Sequence, residues 1–304
     1  MRWTVEDIPS QQGRIALVTG ANIGLGLETV RALASKGCTV LMACRSRSKA
    51  QQARAALLDE GLTGLDLLDL DLADLDSVDS AANTVRERYG QLDLLINNAG
   101  VMAPPYQRSR QGHELQFAVN HLGHMALTQA LLPLLKDGSR VVTVSSGVQF
   151  FGKIRWNDLS WQEGYSRFGA YSQSKLANVM FAFELDARLK QSDSSVQSLA
   201  AHPGMAKTNL QRSNLTPTSN WGERLAVRVM DPLHQSAAMG ALPQLHAATA
   251  PTAKGGEQYG PDQLGGLRGH PTLSRVASAA LDTEERERLW TISENLISGT
   301  AAVG

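Results

Sequence analysis

The sequence predicts a doubly wound α/β fold, in which helices cover both faces of a largely parallel β-sheet. Between residues 14 and 204, short apolar runs alternate with longer stretches whose apolar residues recur at helical spacing. The short runs are continuously apolar, which is typical of strands that are buried on both faces. Several helical stretches end at a glycine, a common stop signal. These observations together favour a parallel sheet with right-handed crossovers.

The predicted strands and helices alternate along the chain as they do in βαβ units. Apolar runs predict strands at 14–20, 38–45, 65–72, 92–100, 140–147 and 195–204. Helical spacing predicts helices at 25–37, 48–61, 75–90, about 112–136 and in the stretch that holds Tyr171 and Lys175. Residues 255–261 are consistent with one more short strand.

We predict that residues 1–304 form one domain, because no linker or shift in composition marks a second one. Its core is expected at about 13–204. Beyond residue 204 the pattern loosens, and polar residues, prolines and Trp221 are mixed. We interpret the segment at about 205–240 as a small C-terminal lid that lies over the edge of the sheet.

Composition limits the classes of partner and compartment. Lysine plus arginine and aspartate plus glutamate each total 29, so no net charge attracts nucleic acid or an anionic membrane. Cys38 and Cys44 lie in one predicted strand, about 20 Å apart, which is too far for a disulfide. The first residues lack the apolar run of a signal peptide or anchor. We therefore expect a cytoplasmic protein without a membrane anchor.

The segment TGANIGLG at 19–26 lies between a predicted strand and a predicted helix. Gly20 allows a sharp turn, while Gly24 and Gly26 let a pyrophosphate approach the backbone and let the helix pack on the strand. The helix N-terminus offers free N–H groups to phosphate. The segment therefore predicts a dinucleotide site, although a plain tight turn also fits a glycine-rich segment that stands alone.

Tyr171 and Lys175 stand four residues apart, so they share one face of a predicted helix. A free phenol, with a pKa of about 10, is a poor acid or base near neutrality. A nearby ammonium favours the phenolate, so we expect Lys175 to lower the pKa of Tyr171. Ser146 ends a predicted strand, and Asn120 lies within a predicted helix, where an amide adds little stability. The alternative is a surface helix whose polar groups face water.

Four motifs, in this order, resemble those of the short-chain dehydrogenase/reductase family. They are T-G-x-x-x-G-x-G at 19–26, N-N-A-G at 97–100, the strand-end serine and Y-x-x-x-K at 171–175. The segments ACR and YSQSKLAN, and the long stretch at 148–169, are most similar to the subgroup of retinol dehydrogenases and the related oxidoreductase with WW domains. The resemblance implies a Rossmann-type sheet and hydride transfer between a nicotinamide cofactor and a carbonyl/alcohol pair.

The resemblance also implies a catalytic role for each matching residue. Ser146 would polarise the substrate oxygen, Tyr171 would exchange the proton, and Lys175 would also bind the nicotinamide ribose. Asn120 would hold a water on its backbone carbonyl if its amide bends the helix, which gives a proton path outward. Ser145 points to the opposite face of the strand from Ser146. Ser146 is preferred because the family's active serine usually comes second in such a pair.

The cofactor-binding residues are likewise implied by the resemblance. The glycine turn would hold the phosphates, the end of the third strand would hold the adenine, and the turn at 203–208 would hold the nicotinamide. The alternative role for an acid after the third strand is the N-cap of the next helix, which Asp74 suits better than Asp71 does. The full set is Gly20, Asn22, Ile23, Gly24, Leu25, Gly26, Arg45, Asp71, Leu72, Asn98, Ala99, Gly100, Tyr171, Lys175, Pro203, Gly204, Met205 and Thr208.

Arg45 bears on which nicotinamide cofactor is used. In the family an acidic residue ends the second strand when NAD is preferred, but here the strand ends Ala43-Cys44-Arg45. An acid would repel a 2′-phosphate, whereas an arginine can pair with it bidentately. The sequence therefore predicts NADP, with which the cell usually drives reduction. The alternative is that Arg45 only solvates the end of the strand.

Aromatic residues crowd the stretch that follows the catalytic strand. These residues are Phe150, Phe151, Trp156, Trp161 and Phe168. They either pack in the core or form the wall of a pocket for a bulky lipophilic aldehyde or ketone. The seven histidines have no metal-ligand spacing, so no metal site is predicted.

Two other functions fit the same sequence. One is a non-catalytic NADPH-binding redox sensor, against which the intact Ser146, Tyr171 and Lys175 argue. The other is epimerisation or dehydration of a nucleotide sugar, for which no sugar-binding C-terminal domain is recognisable. Many relatives pair through two long helices, so the resemblance allows a homodimer through residues 112–136 and 171–190.

Overall fold

The computed structural model describes residues 2–206 and 235–299. Within them, the strands of one sheet are β1 (Ile15–Thr19), β2 (Thr39–Cys44), β3 (Leu65–Asp69), β4 (Leu92–Asn97), β5 (Leu135–Val144), β6 (Gln197–Ala201), β7 (Gln258–Gln263) and β8 (Arg268–Leu273). Their order across the sheet is β3-β2-β1-β4-β5-β6-β7-β8. Neighbouring strands are parallel except β7 and β8. The strand order reverses between β1 and β4, and such a switch point is where this fold class binds its ligands.

Helices pack on both faces of this sheet, as the doubly wound prediction requires. They are α1 (Gly24–Ser35), α2 (Arg47–Asp59), α3 (Leu75–Tyr89), α4 (Leu115–Phe117), α5 (Gly123–Leu131), α6 (Arg167–Gln191), α7 (Ala237–Thr249) and α8 (Thr283–Ser298). Side chains of alternate residues in one strand pack on opposite faces of the sheet. Val18 packs in the core cluster that contains α1, α2 and α7, whereas Leu17 packs in the cluster that contains α3, α5 and α6. The predicted Rossmann-type fold is confirmed.

The long helix predicted at about 112–136 is broken by a π-helical turn, Ala118–Leu122, between α4 and α5. At its end, the N–H of Gly123 bonds the carbonyl of Ala118, five residues back. The helical region ends at Pro133 and Leu134, and β5 begins at Leu135 rather than at residue 140. The polar residues at the start of β5 hide this extension from an apolar pattern.

The C-terminal part of the chain holds elements that the sequence did not predict. α7 covers the sheet beside α1, and the antiparallel β8 closes the edge next to β7. α8 packs against α6, where Trp290 stacks on Phe181 with ring centroids 5.7 Å apart. Part of the helix face that the predicted homodimer would use is therefore covered by the same chain, and the homodimer stays a prediction.

Two predictions about the cysteines and the membrane can be compared with the structure. Cys38 and Cys44 are both buried and unpaired, as expected. No helix within residues 2–206 and 235–299 combines the length and the apolar character needed to cross a bilayer.

Candidate active site

A cavity of about 350 Å³ opens at the switch point, where β1, β2 and β4 end. Many of the residues predicted to bind the cofactor line it: Gly20, Asn22, Ile23, Gly24, Leu25, Arg45, Asp71, Leu72, Asn98, Ala99 and Gly100. The structure thus brings together, around one cavity, residues that are spread over the chain from β1 to the turn after β4. We call it the cofactor cavity.

The glycines of the turn after β1 act in different ways. Gly20 has a φ of +66°, and a Cβ there would lie 3.1 Å from the Cα of Ala99. Gly26 does not line the cofactor cavity. A Cβ on Gly26 would overlap the Gly20 carbonyl and lie 2.7 Å from Asn98 Nδ2. Gly26 therefore permits the close packing of α1 on the turn that the prediction included, and its contact with a cofactor stays a prediction.

The residues around this cavity fit a dinucleotide. α1 begins at Gly24, and its N-cap residue Ile23 makes no side-chain capping bond. The first N–H groups of a helix have no partner within the helix, and together with the helix dipole they attract phosphate. Gly24 and Leu25 line the cavity at this helix end. Gly20, with its positive φ, forms the compact turn that leads to this helix end.

Two basic side chains lie at the end of the cofactor cavity next to β2. Arg45 follows β2, and Lys49 lies in the first turn of α2, with Ser46 as the N-cap residue between them. The sequence reasoning missed Lys49 and Ser46, although their position at the start of the predicted second helix was visible. Neither Arg45 nor Lys49 has an ion-pair partner among the described residues. Arg47, by contrast, pairs with Asp69 at 3.3 Å and does not line the cavity.

The acidic residues after β3 have separate structural roles. Asp71 lines the cavity, and its Oδ1 accepts a hydrogen bond from the Ala73 N–H at 3.0 Å. Asp74 is the N-cap of α3 and accepts a hydrogen bond from the Asp76 N–H at 3.1 Å. The prediction that Asp74 rather than Asp71 caps this helix is confirmed.

A second cavity of about 1060 Å³ adjoins the first. The two share Leu25, Asn98, Gly100 and Val101, so they form one continuous cleft. Of the predicted residues, this larger cavity is lined by Ser146, Tyr171, Lys175, Pro203, Gly204 and Met205. Thr208, predicted to bind the nicotinamide, lies outside the described residues.

Ser146, Tyr171 and Lys175 come together on the wall of the larger cavity. Ser146 follows β5, and its side chain lies near enough to the phenol of Tyr171, in the first part of α6, to lower the pKa of that phenol. Ser145 is turned away, and its Oγ donates to the Lys175 carbonyl at 2.7 Å. Of the two adjacent serines, Ser146 is therefore the one that reaches the tyrosine.

Lys175 is buried one turn after Tyr171. Its Nζ donates to the carbonyl of Val144 at 3.1 Å and lies 5.9 Å from the centroid of the Tyr171 ring. A Cβ on Gly100 would lie 3.5 Å from this Nζ. The absence of a side chain at Gly100 therefore keeps the ammonium open toward the cleft.

Burial dominates the ionisation of both groups. It raises the pKa of Tyr171 to about 12, and the nearby Ser146 hydroxyl, which acts in the opposite direction, offsets only part of that effect. Burial also lowers the pKa of Lys175 to about 8. The expectation that the ammonium would lower the pKa of Tyr171 is therefore wrong for this structure: burial raises that pKa, and Lys175 is not among the groups that shift it. At neutral pH the pair is a phenol, with a proton to give, beside an ammonium.

The buried charge of Lys175 predicts a measurable cost in stability. Lowering its pKa from 10.5 to about 8 corresponds to about 3 kcal/mol of destabilisation below pH 8. Lys175→Met removes this cost and one hydrogen bond, so we expect the cofactor-free variant to be about 1–2 kcal/mol more stable at pH 7.

Urea unfolding of both proteins at several pH values checks this prediction. The penalty fades as pH rises from about 8 toward 10.5, because the folded and unfolded lysine then both lose their proton. The advantage of Lys175→Met should shrink over that window. A variant that is less stable than wild type at pH 7 would contradict the desolvation argument.

Asn120 lies in the π-helical turn and is fully buried. Its Oδ1 accepts from the Val101 N–H at 2.8 Å, and its Nδ2 donates to the Val101 carbonyl at 3.0 Å and to Ser174 Oγ at 2.9 Å. The side chain thus fixes the loop after β4 to α6. The helix is irregular at Asn120, which was the condition for a water on its carbonyl, but Asn120 lines neither cavity and its catalytic role stays a prediction.

The aromatic residues that were predicted to wall a pocket divide into two groups. Phe150, Phe151 and Phe168 line the larger cavity. Trp161 instead lies under Arg155, with the guanidinium carbon 4.2 Å from the ring centroid. Trp156 lies under Arg288 in the same way, at 4.3 Å. The cavity wall also includes residues that the sequence did not single out, among them Met102, His202, Leu267, Leu273 and Arg275.

Comparison with known proteins agrees with this geometry. The family model of the short chain dehydrogenase matches residues 14–218. Human retinol dehydrogenase 12 is 38% identical over 293 residues, which covers 94% of this chain and 86% of that protein. Mouse retinol dehydrogenase 14 is 36% identical over 298 residues, with the same coverage of 94% and 86%.

Among solved structures, a putative uncharacterized protein from Mycobacterium paratuberculosis superposes with a TM-score of 0.82. It is 39% identical, and the match covers 98% of each chain. The enzymes of the matched family use nicotinamide cofactors, which fits the dinucleotide cradle after β1. The chain therefore belongs to the short-chain dehydrogenase/reductase family, in its retinol dehydrogenase-like subgroup, and is an oxidoreductase.

Proposed function

We propose that the protein is an NADPH-dependent reductase of lipophilic aldehydes or ketones. The observation that carries this proposal is the trio Ser146, Tyr171 and Lys175 on the wall of a large cavity that continues into the cofactor cavity. A substrate carbonyl in the larger cavity would meet a hydroxyl, a phenol and an ammonium at the place where the two cavities join. Such an arrangement suits stabilisation of an oxyanion and its protonation.

In this proposal each residue has one chemical task. NADPH, when bound, supplies the hydride from C4 of its nicotinamide. Ser146 donates a hydrogen bond to the carbonyl oxygen, and Tyr171 transfers its proton to the same oxygen as charge develops there. Lys175 then stabilises the phenolate left on Tyr171. Asn120 acts through position, because it holds Val101 and Ser174 around the cleft.

The preference for NADPH supports reduction as the favoured direction, because the cell usually drives reduction with this cofactor. At neutral pH the phenol of Tyr171, with a pKa of about 12, holds the proton that reduction needs. Oxidation of an alcohol would instead need a base at the same position.

The lipophilic substrate is supported by the wall of the larger cavity. Phe150, Phe151 and Phe168 are joined there by Leu267 and Leu273, around a volume of about 1060 Å³. A mainly apolar wall favours an apolar ligand with few polar groups. It argues against a nucleotide sugar, which would need many hydrogen-bonding partners, and so against an epimerase or dehydratase.

NADP is favoured over NAD by Arg45 and Lys49. Both side chains line the end of the cofactor cavity next to β2, where a carboxylate would be expected in a protein that selects NAD. The single acidic residue in the described wall of that cavity, Asp71, already accepts a backbone hydrogen bond. A 2′-phosphate would therefore meet two cations and the N-terminus of α2.

The proposal predicts how the rate of reduction depends on pH. As pH rises through about 8, Lys175 loses its proton and can no longer stabilise the phenolate formed on Tyr171. We therefore expect kcat to be constant below this pH and to fall above it. Initial rates at saturating NADPH, from pH 6 to pH 10, measure the profile.

Lys175→Arg provides the control for this profile, because an arginine keeps its charge over the whole range. The fall should disappear or move to higher pH in whatever activity the variant retains. A wild-type rate of reduction that rises through pH 8 would contradict the assignment, since it would require a deprotonated group as the active form.

The proposal is tested by nucleotide titration followed by turnover. Purified protein is titrated with NADPH and NADH by nicotinamide fluorescence, and then mixed with a panel of apolar aldehydes and ketones under saturating cofactor. Preferred binding of NADPH with turnover supports a reductase. Tight binding of NADPH without turnover of any apolar carbonyl would overturn it and favour the redox-sensor alternative.

A further inference from the structure

His124, in the second position of α5, lies between the two halves of the candidate active site. It lines neither the cofactor cavity nor the larger cavity, and it is fully buried. Its Nδ1 lies 3.0 Å from the backbone carbonyl of Asn120, and its Nε2 lies 2.9 Å from Thr19 Oγ1. Thr19 ends β1, directly before the glycine turn, so the imidazole bridges the π-helical turn and the phosphate-binding turn.

The hydrogen bonds around Thr19 favour one arrangement of protons. Its Oγ1 accepts the N–H groups of Asn98 and Ala99, each at 2.9 Å. A hydroxyl has two acceptor sites and one hydrogen to donate, so these two bonds fill its acceptor capacity. The one hydrogen of Thr19 can go to Nε2 of His124 at 2.9 Å or to the carbonyl of Ile96 at 3.4 Å, and the shorter contact favours Nε2. Nδ1 then carries the ring proton and donates to the Asn120 carbonyl.

This chain of bonds keeps the imidazole neutral. A second ring proton on Nε2 would face a hydroxyl oxygen whose acceptor sites are both in use. Burial acts in the same direction and lowers the pKa of His124 to about 4. The ring is therefore a fixed, singly protonated bridge over the whole physiological range.

The bridge joins three segments that the candidate site depends on. They are the end of β1 at Thr19, the turn after β4 at Asn98 and Ala99, and the π-helical turn at Asn120. Asn98 and Ala99 line the cofactor cavity. Asn120 holds Ser174, the neighbour of Lys175, so the π-helical turn leads directly to the catalytic helix.

We propose that His124 is a positioning residue that holds the Asn120 carbonyl with one ring nitrogen and the cofactor-facing turn with the other. Its Nδ1 orients the backbone of the π-helical turn, beside Ser174 and Lys175. Its Nε2 orients Thr19 and, through it, the N–H groups of Asn98 and Ala99. The cofactor cavity and the larger cavity are thereby held in a fixed relative position for hydride transfer. This role rests on the proposed function.

Four substitutions test the bridge and its two halves. His124→Phe keeps a ring and removes both bonds. In His124→Asn the amide nitrogen stands near the place of Nδ1 and can keep the bond to Asn120, whereas in His124→Gln the amide reaches toward Thr19 and can replace Nε2. Thr19→Val removes the hydroxyl from the other side.

His121 supplies a matched control. It is buried one turn earlier, and its Nε2 lies 2.9 Å from Ser293 Oγ on α8, outside both cavities. His121→Phe therefore disturbs a histidine of equal burial in the same helical region, without touching the bridge. Any loss that follows from instability of α5 alone will appear in this variant as well.

We measure kcat, the Kd of NADPH and the melting temperature of each variant. His124→Phe should lower kcat at least tenfold and weaken NADPH severalfold, because small errors in position are costly in catalysis. His124→Asn should recover mainly kcat, and His124→Gln mainly NADPH affinity. Adding Thr19→Val to His124→Phe should weaken NADPH further, because the N–H groups of Asn98 and Ala99 then lose their shared acceptor. His121→Phe should stay within twofold of wild type in kcat and Kd.

The outcomes that overturn the proposal differ from failure of the proposed function. A wild-type protein without NADPH binding or turnover refutes the proposed function. With an active wild type, the proposal about His124 is overturned if His124→Phe matches wild type in kcat and Kd, or if His121→Phe loses as much. It is also overturned if the asparagine and glutamine variants recover the same quantity, since the two ring nitrogens would then have no separate tasks.

Discussion

Tyr171→Phe is expected to lower kcat for carbonyl reduction by about a thousandfold while NADPH still binds as in wild type. The phenol lies near Ser146 in the described wall of the larger cavity and holds its proton at neutral pH. Phenylalanine has the same ring and should occupy the same buried position, since Tyr171 is 8% exposed. Only the proton and one hydrogen bond are lost, so cofactor affinity should change little.

Tyr165→Phe is the matched control for this substitution. Burial raises the pKa of Tyr165 to about 12 as well, but this residue lines neither cavity. Its hydroxyl bonds Pro104 and Glu114 on the far side of the loop after β4. Steady-state rates for the two variants at saturating NADPH separate chemistry from stability. If Tyr171→Phe kept more than a tenth of wild-type kcat, another group would have to supply the proton.

Arg45→Asp is expected to weaken NADPH by about a hundredfold and NADH by less than about threefold. The substitution replaces a cation that lines the cofactor cavity by an anion, and only the 2′-phosphate distinguishes the two nucleotides. Lys49→Ala should have the same selectivity with a smaller effect, because Arg45 remains. Fluorescence titration of both nucleotides gives the ratio of dissociation constants.

Arg47→Asp controls for the general effect of charge in this region. Arg47 is exposed like Arg45 and lies two residues further on, but it pairs with Asp69 and does not line the cavity. It should leave the NADPH to NADH ratio within about threefold of wild type. Equal weakening of both nucleotides by Arg45→Asp would remove the case for NADP.

Much of the sheet could be predicted because buried parallel strands leave a clear pattern in the sequence. β1, β2 and β4 are continuous apolar runs that lead into glycine, polar or basic residues, and the functional turns follow them directly. β8 could not be found in this way, since an edge strand with Pro271 and few apolar residues has no such pattern. The apolar residues of α8 are sparse, and only its packing on α6 shows that it belongs to the core.

In the candidate site, too, features that depend on short motifs could be predicted, whereas features that depend on tertiary contacts could not. The positions of Ser146, Tyr171 and Lys175 follow from short motifs, so the sequence named them in advance. The ionisation of Tyr171 does not, because it depends on burial, which the helix pattern around Tyr171 could not reveal. The bridge through His124 needs a contact with Thr19, 105 residues away, and a histidine in a helix gives no sign of it.

Transfer of deuterium from NADPH labelled at C4 to an apolar aldehyde tests the central claim most directly. The protein is incubated with the labelled cofactor, in each of its two stereospecifically labelled forms, and the alcohol product is analysed by mass spectrometry. We expect one deuterium on the former carbonyl carbon from one of the two forms, with wild type and with Tyr165→Phe but not with Tyr171→Phe. Tight NADPH binding without any labelled alcohol, across the whole carbonyl panel, would contradict the assignment of this protein as a reductase.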